Sequence, residues 1–410
     1  MKMKKMMIPL LLLIAAGCSN ETPEQPIRKG YLVQAEEVRT VNSEMLKSFL
    51  ITQEEYRQFA EFLQNDVRLI RVTYTTEYPK GTAINVSGAL LISENYDAAF
   101  PTVVYNHGTN ANRESAPSTD IAELSSLDAV LGIVIASAFN CALLLPDYIG
   151  YGESKSTAHP YVHVESLGQT GLDFLRAFRK YMASPEVDRP VSDRVFITGY
   201  SEGGTAALAV HKAIDDHPEE GLTVAGNVAG SGVYDMVAAC KAFVDNPNPL
   251  EPQMLSSYLW VLGMYKKDFG YSKDYADIFS EEDNDSLQSI DYDLTYFRSV
   301  TENLQLNNIA AQLFQPAFID GVRNETDTEF IRISQQNSLV DFAPKDSLIL
   351  VYGAADNWVH PVNSINAHRA MLEKGCKVGY YVHPTGDHSS TIPLYMGVLL
   401  DWLSKLVNND

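Results

Sequence analysis

The chain has 410 residues and a formal net charge of −21 at pH 7, with 45% hydrophobic and 20% charged residues. This is the composition of an ordinary globular body, large enough for one catalytic domain with an insertion or for two ordinary domains. Its acidity repels phosphate backbones and anionic headgroups, which argues against a nucleic-acid partner.

The first element is a targeting signal. Lys2, Lys4 and Lys5 precede an apolar run from Met6 to Ala16, and Ala15, Ala16 and Gly17 are small residues just before Cys18. At about eleven residues the run is too short to span a bilayer as a mature helix. Residues 1–17 are therefore expected to be a cleaved export signal. The pattern resembles that of bacterial lipoproteins, although Ala15 stands where Leu is usual. That resemblance implies a lipid on Cys18, membrane attachment through it, and export to the cell envelope, at the outer membrane or cell surface. The alternative is a plain secretory peptide. Residues 18–42, polar and Pro-containing at their start, are expected to be a flexible tether. Cys141, Cys240 and Cys376 remain, an odd number at irregular spacing, which describes neither a disulfide framework nor a zinc site. Cys141 opens an apolar run and reads as a small buried hydrophobe.

Residues 43–65 carry helical spacing through Met45, Phe49, Tyr56, Phe59 and Phe62. Two alternating runs, 67–76 and 83–92, flank a Pro-Lys-Gly turn and read as a hairpin. From there buried strands (102–105, 142–145, 195–198, 222–228, 347–352, 378–383) alternate with helices (166–182, 202–214, 362–373, 394–406). Continuous apolar strands between helices predict a mostly parallel sheet covered on both faces, with the hairpin supplying antiparallel strands at one edge. The alternation breaks over 235–345, which is rich in Tyr, Phe, Asp and Asn. That span is too long for a loop, so it is expected to be an inserted helical cap between core segments 43–234 and 346–410.

The chemistry concentrates at strand ends. Gly199-Tyr200-Ser201-Glu202-Gly203-Gly204 follows an apolar strand and opens an Ala-rich helix. A serine needs a base to become a nucleophile. A sharp strand-to-helix turn presents its Oγ, glycines permit the close backbone approach, and the helix N-terminus favours developing negative charge. A transition-state oxyanion requires preorganised donors. The backbone N–H of Glu202 is one candidate, and that of Thr109 is the other, because Asn106-His107-Gly108-Thr109 follows an earlier strand. His107, Gly108 and Tyr200 are expected beside the substrate. In the order nucleophile, acid, base, the loops Gly353-Ala354-Ala355-Asp356 and Gly386-Asp387-His388 supply Asp356 as orienting acid and His388 as general base and acid. His360, His383 and Asp387 are weighed and set aside. Asp147, in Pro146-Asp147-Tyr148-Ile149-Gly150-Tyr151-Gly152, reads as structural. His159 and His163 are four apart, but Pro160 breaks the helix a metal pair would need, so neither a metal nor a cofactor is expected.

Together these motifs resemble the α/β-hydrolase superfamily, over roughly residues 66–234 and 346–405. Within it the chain is similar to the secretory lipase group of fungal lipase A-like enzymes and bacterial lipoprotein esterases. The resemblance implies a Ser201–Asp356–His388 triad, a cap over the pocket, and carboxylesterase or lipase activity through an acyl-enzyme. An aromatic-rich cap would suit an apolar or aromatic group. The substrate stays open among a lipid ester, an acetylated or feruloylated glycan and a small xenobiotic ester. Transfer to an alcohol, a peptidase or amidase on the same triad, and an inactive surface binding lipoprotein are the other readings.

Overall fold

A computed structural model describes residues 30–54, 57–79, 81–110, 112–281, 283 and 306–408. The expected export signal and Cys18 lie outside the described residues.

Nine strands form one sheet in the order β1-β2-β3-β5-β4-β6-β7-β8-β9. They are β1 Leu32–Val41, β2 Val67–Tyr78, β3 Thr82–Ser93, β4 Thr102–Asn106, β5 Ala142–Pro146, β6 Arg194–Tyr200, β7 Thr223–Gly230, β8 Leu348–Gly353 and β9 Val378–His383. The pairs β1–β2, β2–β3 and β3–β5 are antiparallel. From β5 to β9 every pair is parallel. The central strands β4 and β5 are buried along their whole length, as a sheet covered on both faces requires.

The expected tether, residues 18–42, needs correction. Its Leu32–Val41 portion is an edge strand paired with β2 through two register shifts. Most of its side chains stay exposed, because an edge strand can be held by backbone hydrogen bonds alone.

The helices used below are α1 Ser43–Thr52, α2 Leu127–Phe139, α3 Val164–Met182, α4 Glu202–Asp216, α5 Met236–Val244, α6 Pro252–Phe269, α7 Pro316–Arg323, α8 Thr328–Gln336, α9 Val362–Glu373 and α10 Ile392–Asn408. Two apolar clusters cover the faces of the sheet. One gathers α3 and α4 residues such as Phe174, Phe178 and Leu208 against Ile70, Leu144 and Ile197. The other gathers α2 and α10 residues such as Ile133 and Leu399 against Leu91, Leu143 and Phe196. A third cluster lies apart from the sheet and is built from α5 to α8, with Trp260, Tyr265, Phe314, Phe318 and Phe330 joined by Tyr161 and Val162. Each cluster removes large apolar side chains from water, worth roughly 1.5–3 kcal/mol per fully buried residue. Among the described residues no helix is long and apolar enough to cross a membrane.

Register determines where the chemistry sits. Asn106 at the end of β4 pairs with Gly199, and Gly353 at the end of β8 pairs with His383. Four loops therefore leave the same carboxyl edge side by side, at Asn106, Tyr200, Gly353 and His383.

Candidate active site

Ser201 sits between β6 and α4 with φ 62 and ψ −125, a backbone conformation that L residues rarely adopt. Its N–H donates to Gly230 O at 2.9 Å, which holds the turn against β7. The turn is so tight that a Cβ on Gly199 would stand 2.1 Å from Gly203 O, and one on Gly203 would stand 2.1 Å from Asn106 O. Only glycine fits at either place.

Two other loops reach this hydroxyl. His388 Nε2 lies 2.9 Å from Ser201 Oγ, and its Nδ1 lies 2.8 Å from Asp356 Oδ2. The second oxygen of Asp356 accepts the backbone N–H groups of Trp358 at 3.0 Å and Val359 at 2.9 Å. The carboxylate is thus buried, fully bonded and held to one rotamer. With Nδ1 donating to it, the imidazole turns an unprotonated Nε2 toward the serine. His360 is exposed, and Asp387 is exposed with its carboxylate spent on Ser390 N and Oγ. Neither joins the constellation.

The loop after β4 packs directly on Ser201: a Cβ on Gly108 would meet Tyr200 O at 3.3 Å and Ser201 Cβ at 3.7 Å. Thr109, next along, shares a 2.9 Å hydrogen bond between its Oγ1 and the Tyr161 hydroxyl. Glu202 is the first residue of α4, where intrahelical bonding leaves its N–H free. Its side chain is buried, and Oε1 contacts His159 Nε2 at 2.7 Å and accepts Val162 N at 3.4 Å. The backbone loop of residues 159–162 is therefore fastened to the start of α4.

His107 and Tyr200 are not the substrate contacts expected of them. The His107 ring is 2% exposed and stacks on Tyr148 at 4.2 Å, with Nδ1 2.7 Å from Gly108 O. It shapes the loop from behind. The Tyr200 hydroxyl donates to the backbone O of His388 at 2.6 Å, and its ring packs on Tyr395. Burial raises the Tyr200 phenol well above its ordinary value, so it remains a donor. Asp147 is also structural: Ser87 Oγ and Ser118 Oγ each donate to it at 2.5 Å, and Ser118 N donates at 2.8 Å. Burial raises its carboxyl, and these bonds oppose the rise. His159 Nδ1 bonds Ile149 O at 2.6 Å, whereas His163 Nδ1 accepts Ser166 N at 3.1 Å as the cap of α3.

Sequence reasoning did not assign Trp358, Ser257 or Tyr161 to the site. The Trp358 ring lies 5.1 Å from that of His388, and its Nε1 donates to Ser257 Oγ of α6 at 3.2 Å. Trp260, also on α6, stacks on the Tyr161 ring at 4.6 Å. Helix α6 is thereby joined to the acid loop by a hydrogen bond and, through the Trp260–Tyr161 stack, to the hydroxyl that holds Thr109. The Pro-interrupted His159-Pro160-Tyr161 was the only local signal. A cleft of about 410 Å³ opens beside His388, walled by Trp358, Met254, Gln253, Asn357, Glu251 and Asp387.

A nine-stranded, mostly parallel sheet with a strained serine turn after β6 and an acid and a histidine in the loops after β8 and β9 defines an α/β-hydrolase fold. No described protein family and no curated protein matches the sequence. Solved structures do match. The rice cell wall degrading esterase LipA of Xanthomonas oryzae is 20% identical with a TM-score of 0.74, over 93% of this chain and 97% of that one. A protein from Legionella pneumophila is 21% identical with a TM-score of 0.77, over 92% of this chain and 98% of that one. Candida antarctica lipase A in its closed state is 15% identical with a TM-score of 0.66, over 93% of this chain and 83% of that one.

Proposed function

We propose that this chain is a carboxylic-ester hydrolase acting through an acyl-enzyme on Ser201. The reading rests on the continuous contact from Asp356 through His388 to Ser201. His388 Nε2 takes the Oγ proton as oxygen attacks the ester carbonyl, and Asp356 stabilises the imidazolium that forms. The oxyanion meets the N–H groups of Glu202 and Thr109, the first of them at a helix N-terminus. His388 then gives its proton to the departing alcohol, leaving an acyl ester on Ser201. Water, deprotonated by the same nitrogen, hydrolyses that ester and restores the serine.

The alcohol leaves on the side of His388, toward the cleft that holds Glu251 and Asp387. Two carboxylates beside an indole favour neutral or cationic alcohols over anionic ones. The esterase and lipase activities of two structural neighbours support ester cleavage. Export with a lipid on Cys18 belongs to the same reading, with the catalytic body tethered at the cell envelope.

The test is turnover of a short p-nitrophenyl ester together with labelling by a fluorophosphonate. Both should vanish in Ser201→Ala while the melting temperature holds. Activity that survives the substitution would sink the proposal.

A further inference from the structure

We propose that His211, Asp215 and Asp346 form a binding site for a divalent metal ion of the zinc class, well away from Ser201. It would clip the far half of α4 to the segment entering β8.

His211 and Asp215 stand four apart on α4, one turn along the same face. His211 is about 14 Å along the helix axis from Glu202. The ligating atoms of all three residues lie within 4.8 Å of one another. His211 is fully buried, and its Nε2 has no hydrogen-bond partner. The Asp215 Oδ2 is 3.9 Å away, beyond hydrogen-bond reach. A buried imidazole nitrogen aimed at a carboxylate it cannot bond is an exception to how interiors satisfy polar groups.

The local charges favour a cation. Two carboxylates face the buried His211 ring, against one nearby ammonium, that of Lys345. Lys345 compensates only partly. Its backbone N–H donates to Asp215 Oδ2 at 3.1 Å, but its ammonium donates to the Asp215 carbonyl at 2.7 Å and stays 3.9 Å from Oδ1.

One imidazole with two carboxylates suits zinc-class ions, whereas Ca²⁺ and Mg²⁺ take oxygen ligands. Bonds of about 2.1 Å in tetrahedral geometry put donor atoms about 3.4 Å apart. The His211–Asp215 pair is nearly there. Asp346, half-buried at the surface, can close the remaining distance by rotating, and water can complete the shell. Metal on Nε2 moves the ring proton to Nδ1, which lies 3.5 Å from the Asn227 amide. Turning that amide over would offer its unpartnered Oδ1 to the ring proton in exchange for the 3.0 Å bond from its Nδ2 to Ala207 O. Phe342 packs edge-on against the ring at 5.4 Å and keeps one side dry.

The test uses the whole folded protein after chelation and dialysis. It is titrated with ZnCl₂ by calorimetry, with CoCl₂ as an absorption probe and CaCl₂ as control. The expected result is one micromolar or tighter zinc site, tetrahedral cobalt bands, and a rise in melting temperature of about 5 °C at saturating zinc. Asp346→Asn, a surface change that should fold normally, should weaken zinc at least about tenfold and leave ester turnover unchanged. No binding at about 1 mM zinc, or zinc affinity equal in Asp346→Asn, would overturn the site.

Discussion

The Tyr200 hydroxyl donates to the backbone carbonyl of His388 at 2.6 Å. It ties the residue before Ser201 to the residue proposed to deprotonate it. Tyr200→Phe keeps the ring against Tyr395 and removes this bond. A net hydrogen bond is worth about 0.5–1.5 kcal/mol, so kcat should fall about 3- to 10-fold with KM nearly unchanged. Steady-state kinetics on a p-nitrophenyl ester, beside a melting curve, would check this. An unchanged kcat would mean that the histidine loop needs no such brace.

Asp356→Asn should preserve the fold and lower kcat about 10⁴-fold. Asn can still accept from Trp358 N or Val359 N, but it no longer compels Nδ1 to carry the proton. Single-turnover acylation should show the loss in the first chemical step. A loss under tenfold would contradict the assigned role.

Gly203→Ala should fail to accumulate as folded protein, or lose about 3 kcal/mol or more. The atoms its Cβ would strike are the backbone oxygens of Asn106 at 2.1 Å and His107 at 2.7 Å, and neither can swing away. Gly397→Ala is the control: it lies in α10 with nothing within 4 Å of its added Cβ, so it should be neutral or stabilising by up to about 1 kcal/mol. Denaturant midpoints of both variants compare the two cases.

Acid should destabilise the protein partly through His163. Burial lowers its pKa to about 4, against about 6.5 when unfolded. Between these values the unfolded chain binds a proton that the folded chain refuses. Stability is therefore complete above about pH 6.5 and falls as the pH drops toward 4, by roughly 3 kcal/mol in all. His163→Asn retains a side-chain acceptor for Ser166 N and cannot titrate. Urea unfolding at pH 7 and 4.5 should show a smaller acid loss in the variant by about 2–3 kcal/mol. Equal losses would rule out this source.

What could be read in advance follows from how local each signal is. Ser201, Asp356 and His388 stand at ends of strands 195–198, 347–352 and 378–383, whose apolar runs are unmistakable, so their meeting followed from topology. The strand Leu32–Val41 escaped because its exposure repeats roughly every third residue and two register shifts interrupt it. Helix Leu127–Phe139 escaped for the opposite reason: it is buried on almost every side and shows no amphipathic period. His107 and Tyr200 were misread because motif position says nothing of side-chain direction; one ring faces Tyr148 and the other Tyr395. The Ser257–Trp358 bond and the Trp260–Tyr161 stack join three distant segments, which no spacing rule foretells.

Those two contacts of α6 also bear on engineering. Because α6 is bolted to the loops carrying Thr109 and Asp356, the roof of the site cannot be exchanged as a detachable part. A transplant between proteins of this architecture has to bring its anchoring partners along. Otherwise, the reshaped entrance comes with a slackened interior, and altered selectivity would be confounded with lost catalytic alignment.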